Sequence, residues 1–202
     1  MEKENFLDIV KFSYDENIDI KFRKFEDVEV IGEVFEIVEF QNCELNRCKI
    51  IESNMEKLNF VDCKFMNCDF SNTSFERANF IRCKLDNCKG IGSHFVEARL
   101  YESVIQNGLF QYANFSNAFL EKTKFLDTNL KNTSFQEIIL KFVQYENCNL
   151  EEAQFFRTNL NGIDFRTCNI EGISVAIENL KGAVVTDYQA VNLASLMGIV
   201  IK

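Results

Sequence analysis

The chain of 202 residues carries 31 acidic and 22 basic side chains, a net charge of −9, with 21 phenylalanines, eight cysteines, no tryptophan and no proline. Its length suits one domain with a real core, and its acidity argues against direct nucleic-acid binding, which needs Lys and Arg to neutralise phosphates, while suiting a basic partner surface. No run of about 18 apolar residues and no signal-peptide pattern occur, so no membrane contact is expected, and the cysteines are expected to stay reduced in the cytoplasm.

Residues 1–40 hold 12 acidic and 5 basic side chains, so most of the negative charge lies at the N-terminus. Residues 1–17 are expected to cap one end of the fold, with Phe6, Ile9 and Val10 facing inward. From Ile20 to Val185 every fifth residue is large and apolar, at 34 positions with Gly90 as the single exception. The position two before is small, as in Cys43, Cys48, Ser53, Ala78, Ala113 and Thr123. All eight cysteines (Cys43, Cys48, Cys63, Cys68, Cys83, Cys88, Cys148 and Cys168) fall in that phase. Their spacing is five or a multiple of it, not that of zinc ligands, so the repeat accounts for them. The position just before is often Asn or Asp, as in Asn59, Asp69, Asn114 and Asn129.

A period of five fits neither a helix nor a strand. It fits a chain that turns a corner every five residues, so that four corners close a square coil of 20. The expected fold is all-β: a right-handed quadrilateral β-helix over residues 18–187, about eight coils stacked at ~4.8 Å. Each large residue fills the coil centre and contributes roughly 1.5–3 kcal/mol. Small residues let the coil walls approach, and Asn or Asp beside a corner bonds its own backbone. Gly90 leaves a gap in its column, open to repacking by Ile91 or a neighbouring Phe, or to a soft point in the rod.

After the last coil the register breaks. Thr186 or Asp187 can cap a helix over about residues 188–197, and Gly198 can end it. Leu193, Leu196 and Met197 are expected to cover the last coil. Tyr188, Ile199, Val200 and Ile201 then remain as apolar surface, which suggests a homodimer interface within the tail 188–202.

Two acidic groups stand out. Glu36, Glu56 and Glu76 are spaced by 20 and should stack on one face, with Glu16 joining if coiling begins that early. Like charges on adjacent strands destabilise a sheet, so such a ladder hints at use, unless Lys57 and Arg77 neutralise it. Glu151, Glu152 and Glu171 form a second cluster near the C-terminal end. The single His94 has no nucleophile or carboxylate to work with, so no catalytic residue, cofactor or metal site is expected.

The pattern A-(D/N)-(L/F), as in Ala78-Asn79-Phe80 and Ala113-Asn114-Phe115, resembles the pentapeptide-repeat proteins over residues ~18–187. The segment 182–201, with Asp187, Tyr188, Gln189, Ala190, Leu193, Leu196, Gly198, Ile199, Val200 and Ile201, resembles the terminal segment of the quinolone-resistance (Qnr-like and MfpA-like) members. There the segment caps the last coil and joins two subunits. The resemblance implies a dimeric DNA-mimicking rod that binds DNA gyrase or topoisomerase IV, inhibiting it or protecting it from fluoroquinolones. The unbroken register leaves no room for the loops that project from Qnr helices, so the loop-free MfpA-like type is the nearer match. A generic interaction scaffold and an immunity protein against a gyrase-directed toxin are the alternatives.

Overall fold

An inward side chain at every fifth residue forces the chain to turn between them, and it turns at the second residue after each. From Phe22 to Arg157 these corners include non-glycine residues with φ between 47 and 60°. The left-handed conformation costs an L-residue roughly 1–2 kcal/mol, least for Asn and Asp. Each corner N–H is compensated by a carbonyl one coil on: Asp62 donates to Ile81 O at 2.9 Å, Arg82 to Tyr101 O at 2.8 Å and Lys122 to Lys141 O at 2.8 Å.

The computed structural model describes residues 6–35 and 37–199 and shows a four-sided β-helix in a constant register of 20. Face 1 is a seven-stranded parallel sheet running from Ile20–Lys21 to Ile139–Lys141. Face 2 is a second one, from Lys24–Glu26 to Gln144–Glu146. Face 3 starts with the pair Glu29–Ile31 and Lys49–Ile51 and continues as single parallel bridges to Asn149 and Asn169. Face 4 consists of such bridges from Val34–Asn54 to Gln154–Ser174. Asn and Asp side chains hold the turns of these bridged faces: Asn54, Asn114 and Asn149 accept from the N–H two residues on, at 2.9–3.1 Å.

Register turns sequence columns into physical ones. Phe75, Phe95, Phe115, Phe135 and Phe155 stack down one column with centroids 5.0, 4.6, 5.4 and 5.1 Å apart. The small positions do more than save space. Cys63 Sγ donates to Phe40 O at 3.3 Å, one coil back, and Thr123 Oγ1 donates to Leu100 O at 3.0 Å. Such a position takes Ala or a small donor, because a coil carbonyl faces it. Contact with the sulfur one coil on, and then burial, push the Cys43 and Cys48 thiols well above their usual range.

The gap at Gly90 is filled by Phe110. A Cβ on Gly90 would overlap the edge of the Phe110 ring and come within 2.9 Å of Ser93 Oγ, and one on Gly108 would lie 2.7 Å from the other side of the ring. Gly90 and Gly108 thus make room for one aromatic, and of the two open readings repacking by a neighbouring Phe is the one found.

Helix α1 (Phe6–Asp15) closes the N-terminal end. Phe6 and Val10 are buried, and the Phe6 ring meets Phe25 edge-on at 4.8 Å; Ile9 is half-buried. Glu16 donates its N–H to Phe12 O as the helix ends, so coiling does not begin early enough for it to join the acidic ladder.

The ladder lapses at one step. On faces 1 and 2, between the coil of Leu140–Tyr145 and that of Leu160–Phe165, no backbone bond of the regular kind forms among the described residues. Phe142 N–H, whose six predecessors in the column all donate to the next coil, does not, and Asn147 N–H turns to Thr167 Oγ1 at 3.1 Å. Faces 3 and 4 stay joined at the same level, through Glu152 N–H to Glu171 O at 2.8 Å and Phe155 N–H to Ser174 O at 2.7 Å. The buried Tyr145 hydroxyl, which has no hydrogen-bond partner among the described residues, lies at this step, and its ring sits 5.2 Å from Phe125 but 5.9 Å from Phe165.

Gly90→Ala is expected to lower stability by about 1–3 kcal/mol, since the added carbon must displace an enclosed ring. Urea unfolding checks this; a loss below a few tenths of a kcal/mol would show that Phe110 moves freely.

Candidate protein-binding surface

The repeat sets the surface chemistry by stacking outward side chains 20 residues apart. Along the corner between faces 1 and 2 the signs alternate: Arg82 reaches Asp62 at 2.6 Å, and Lys122 reaches Glu102 at 2.7 Å. The Arg82 guanidinium holds the Asp62 carboxyl below its usual pKa, and Lys24 followed by Lys64 does the same for Glu44. Much of the charge is therefore neutralised from coil to coil.

Glu56 and Glu76 occupy adjacent coils of face 4, as their spacing requires. Arg77 lies between them, 3.5 Å from Glu56 and 3.9 Å from Glu76, and Asn54 Nδ2 also donates to Glu56 at 3.1 Å. One guanidinium serves both carboxylates, so this pair is a screened feature rather than a bare line of charge. Glu36 lies outside the described residues. His94 stands exposed on face 4 between Ser74 and Asn114, bridged through its backbone. No group of three or more metal-ligating side chains forms among the described residues.

The second cluster differs. Glu151 is tied to Lys131 at 2.7 Å. Glu152 and Glu171 are exposed on adjacent coils of face 3, joined through their backbones, and neither forms an ion pair among the described residues. With Lys131 engaged by Glu151 and also feeling Glu152, the cluster keeps an excess of negative charge close to the C-terminal end.

Beyond them helix α2 (Asp187–Ala194) begins with a capping box, in which Gln189 N–H donates to Thr186 Oγ1 at 3.2 Å and Thr186 N–H to Gln189 Oε1 at 2.8 Å. The expectation that Leu193, Leu196 and Met197 cover the last coil needs correcting. Leu193 packs partly against the core, but Leu196 and Met197 stay exposed. The residue that seals the coil is polar: Gln189 Nε2 donates to Phe165 O and Cys168 O, both at 2.8 Å. Phe165 O also accepts the Cys168 N–H, but Cys168 O has no backbone donor among the described residues, and an amide can satisfy it where a leucine cannot. The sequence signal was present as Thr186-x-x-Gln189, the capping-box spacing. Tyr188 and Ile199 are exposed as expected, while Val200 and Ile201 lie outside the described residues. Ile177, Leu180, Leu193 and Met197 line an apolar groove of about 340 Å³ beside the helix.

Gln189→Ala is expected to cost about 1–3 kcal/mol by stranding the buried Cys168 carbonyl and removing the second bond to Phe165 O, which keeps the Cys168 N–H, with Gln189→Glu costing at least as much. Thermal unfolding of both variants checks this; an unchanged midpoint for Gln189→Ala would show that the amide is dispensable.

Two family models match the chain: "Pentapeptide repeat region" over residues 38–103 and 58–135, and "Pentapeptide repeats (8 copies)" over 142–172. No curated protein matches it. Among solved structures, a trypsin-treated form of QnrB1, a plasmid-mediated fluoroquinolone resistance protein, aligns with a TM-score of 0.55 at 16% identity, over 89% of this chain and 100% of that one. HetL, a pentapeptide repeat protein involved in heterocyst differentiation regulation in the cyanobacterium Nostoc, aligns with a TM-score of 0.37 at 12% identity, over 88% and 96%. No described helix is long and apolar enough to cross a membrane. The unslipped period of five, the square coils it closes and the family models spanning most of those coils make this chain a member of the pentapeptide-repeat proteins.

Proposed function

We propose that this protein is a homodimeric, DNA-mimicking rod that binds a type II topoisomerase, DNA gyrase or topoisomerase IV, and inhibits it or shields it from fluoroquinolones. The observation that carries the reading is the acidic cluster of Glu152 and Glu171, exposed carboxylates outside any ion pair among the described residues, brought together on adjacent coils near the C-terminal end of a chain of net charge −9. A topoisomerase surface built to hold phosphates offers a basic complement to this cluster, whose three carboxylates, counting Glu151, share the single cation Lys131 among the described residues. Exposed Tyr188, Leu196, Met197 and Ile199 supply an apolar interface next to it, so two copies joined there bring their acidic pairs towards the middle of a longer rod. Glu56 and Glu76 contribute less, because Arg77 already serves them. The reading includes no catalysis: phenylalanine rings fill the coil centres where a pocket would have to lie.

Supercoiling by bacterial gyrase, titrated with this protein with and without a fluoroquinolone, tests the reading. Inhibition or drug rescue is expected, and reversing Glu152 and Glu171 to Lys should weaken it about tenfold. No effect at tens of micromolar would discard the topoisomerase and leave a scaffold for another partner. The dimer is tested separately: Tyr188→Asp with Leu196→Glu should give monomers in sedimentation, and a dimer surviving at micromolar concentration would move the interface elsewhere.

A further inference from the structure

Two unpartnered apolar patches of opposite charge lie at different places on the rod. The first is on the corner after face 1, at the level where the ladder lapses. Phe142, 81% exposed, occupies a left-handed corner with φ 53°, a position held by Asn, Asp, Arg, Glu or Lys in the five coils before it. Ile139, on the same turn, is also exposed. The surrounding charge has a basic excess: Lys141 lies 5.0 Å from the Phe119 ring centre, Arg99 lies 4.9 Å from the same centre, and Lys122, paired with Glu102 at 2.7 Å, stands one coil below Phe142. Glu121 is the acidic neighbour on that sheet. Phe142 N–H has no acceptor among the described residues.

The second patch wraps the rim of the first coil. Val34, 73% exposed, stands between exposed Ile31 and Ile37, on either side of the corner Gly32 and of buried Phe35. The flanking charge is acidic: Glu29, whose nearest cation Lys49 is 3.8 Å away, and exposed Glu33. An aliphatic patch set among carboxylates here thus faces, elsewhere on the same chain, an aromatic patch set among ammonium and guanidinium groups.

We propose that these two surfaces bind each other between copies: the acidic rim around Val34 of one chain docks on the basic corner around Phe142 of a second chain. Such a contact is heterologous, so a joined pair keeps one free patch of each kind, one on each chain, and the assembly stays open to growth. Charge complementarity sets the pairing and apolar burial holds it. Copies that each carry −9 repel, which keeps the contact weak, on the order of tens of micromolar. The contact uses neither the C-terminal tail nor Glu152 and Glu171, so it stands apart from the topoisomerase reading.

Sedimentation velocity of the full chain, from about 1 to about 200 μM, tests it with Phe142→Asn and Val34→Asn. Both residues are exposed, and Asn already occupies the equivalent corner at Asn42, so both variants should fold. The wild type should grow beyond a dimer with rising concentration, and each variant alone should not. Mixed in equal amounts, the two variants should associate again, because one retains the acidic rim and the other the basic corner. Absence of growth in the wild type, growth untouched by either variant, or failure of the mixture to associate would each overturn the proposal. Gyrase inhibition should be the same in both variants as in the wild type, so failure of either reading leaves the other measurable.

Discussion

The hydrogen bond that each coil makes with the next, always 20 residues away, is the constraint on which the rest of this structure depends. It fixes the phase, and the phase puts like positions on top of one another. Rings land on rings, as in the stack from Phe75 to Phe155, and small donors land beneath carbonyls, as with Cys63 under Phe40. The same bond makes the corners tolerable. A left-handed residue is disfavoured alone, but Arg82 or Lys122 in that conformation aims its N–H at a carbonyl that would otherwise be stranded. A proline would remove that donor, and the chain has none.

Stacking has a cost at the surface, because whatever points outward also meets itself one coil on. The chain manages this by alternating sign, as in Asp62 with Arg82 and Glu102 with Lys122, or by lending one cation to two acids, as Arg77 does for Glu56 and Glu76. Against that background carboxylates outside any ion pair among the described residues, such as Glu152 and Glu171, are distinctive. So is a ring such as Phe142, placed where a polar residue would satisfy the corner at lower cost. Functional surface in this fold shows itself as departure from a pattern that the register otherwise enforces.

The two ends face different problems and solve them differently. At the N-terminal end α1 inserts Phe6 onto open rings, an apolar solution for an apolar face. At the C-terminal end the last coil presents carbonyls as well as rings, and Gln189 answers two of them with one amide. Gly90 shows the same economy inside the rod, where two glycines accommodate one displaced ring.

The sequence by itself determined the coil, its period, its four sides, the inward columns and the assignment of every cysteine to one of them, because each of these depends only on spacing. Residues 20 apart become neighbours whenever the phase does not slip, so the adjacency of Glu56 and Glu76 was legible too. Tertiary structure decided what spacing cannot express. It decided that Arg77 reaches across to Glu56 while Lys57 forms no ion pair among the described residues, and that Phe110 turns into the space above Gly90. It placed Gln189, rather than Leu196 or Met197, over the final coil, and it set the ladder's lapse beside Tyr145. Those outcomes depend on side-chain rotamers and on which backbone groups a neighbouring coil leaves unpaired, and a rotamer is chosen only when the coil above and the coil below are both in place.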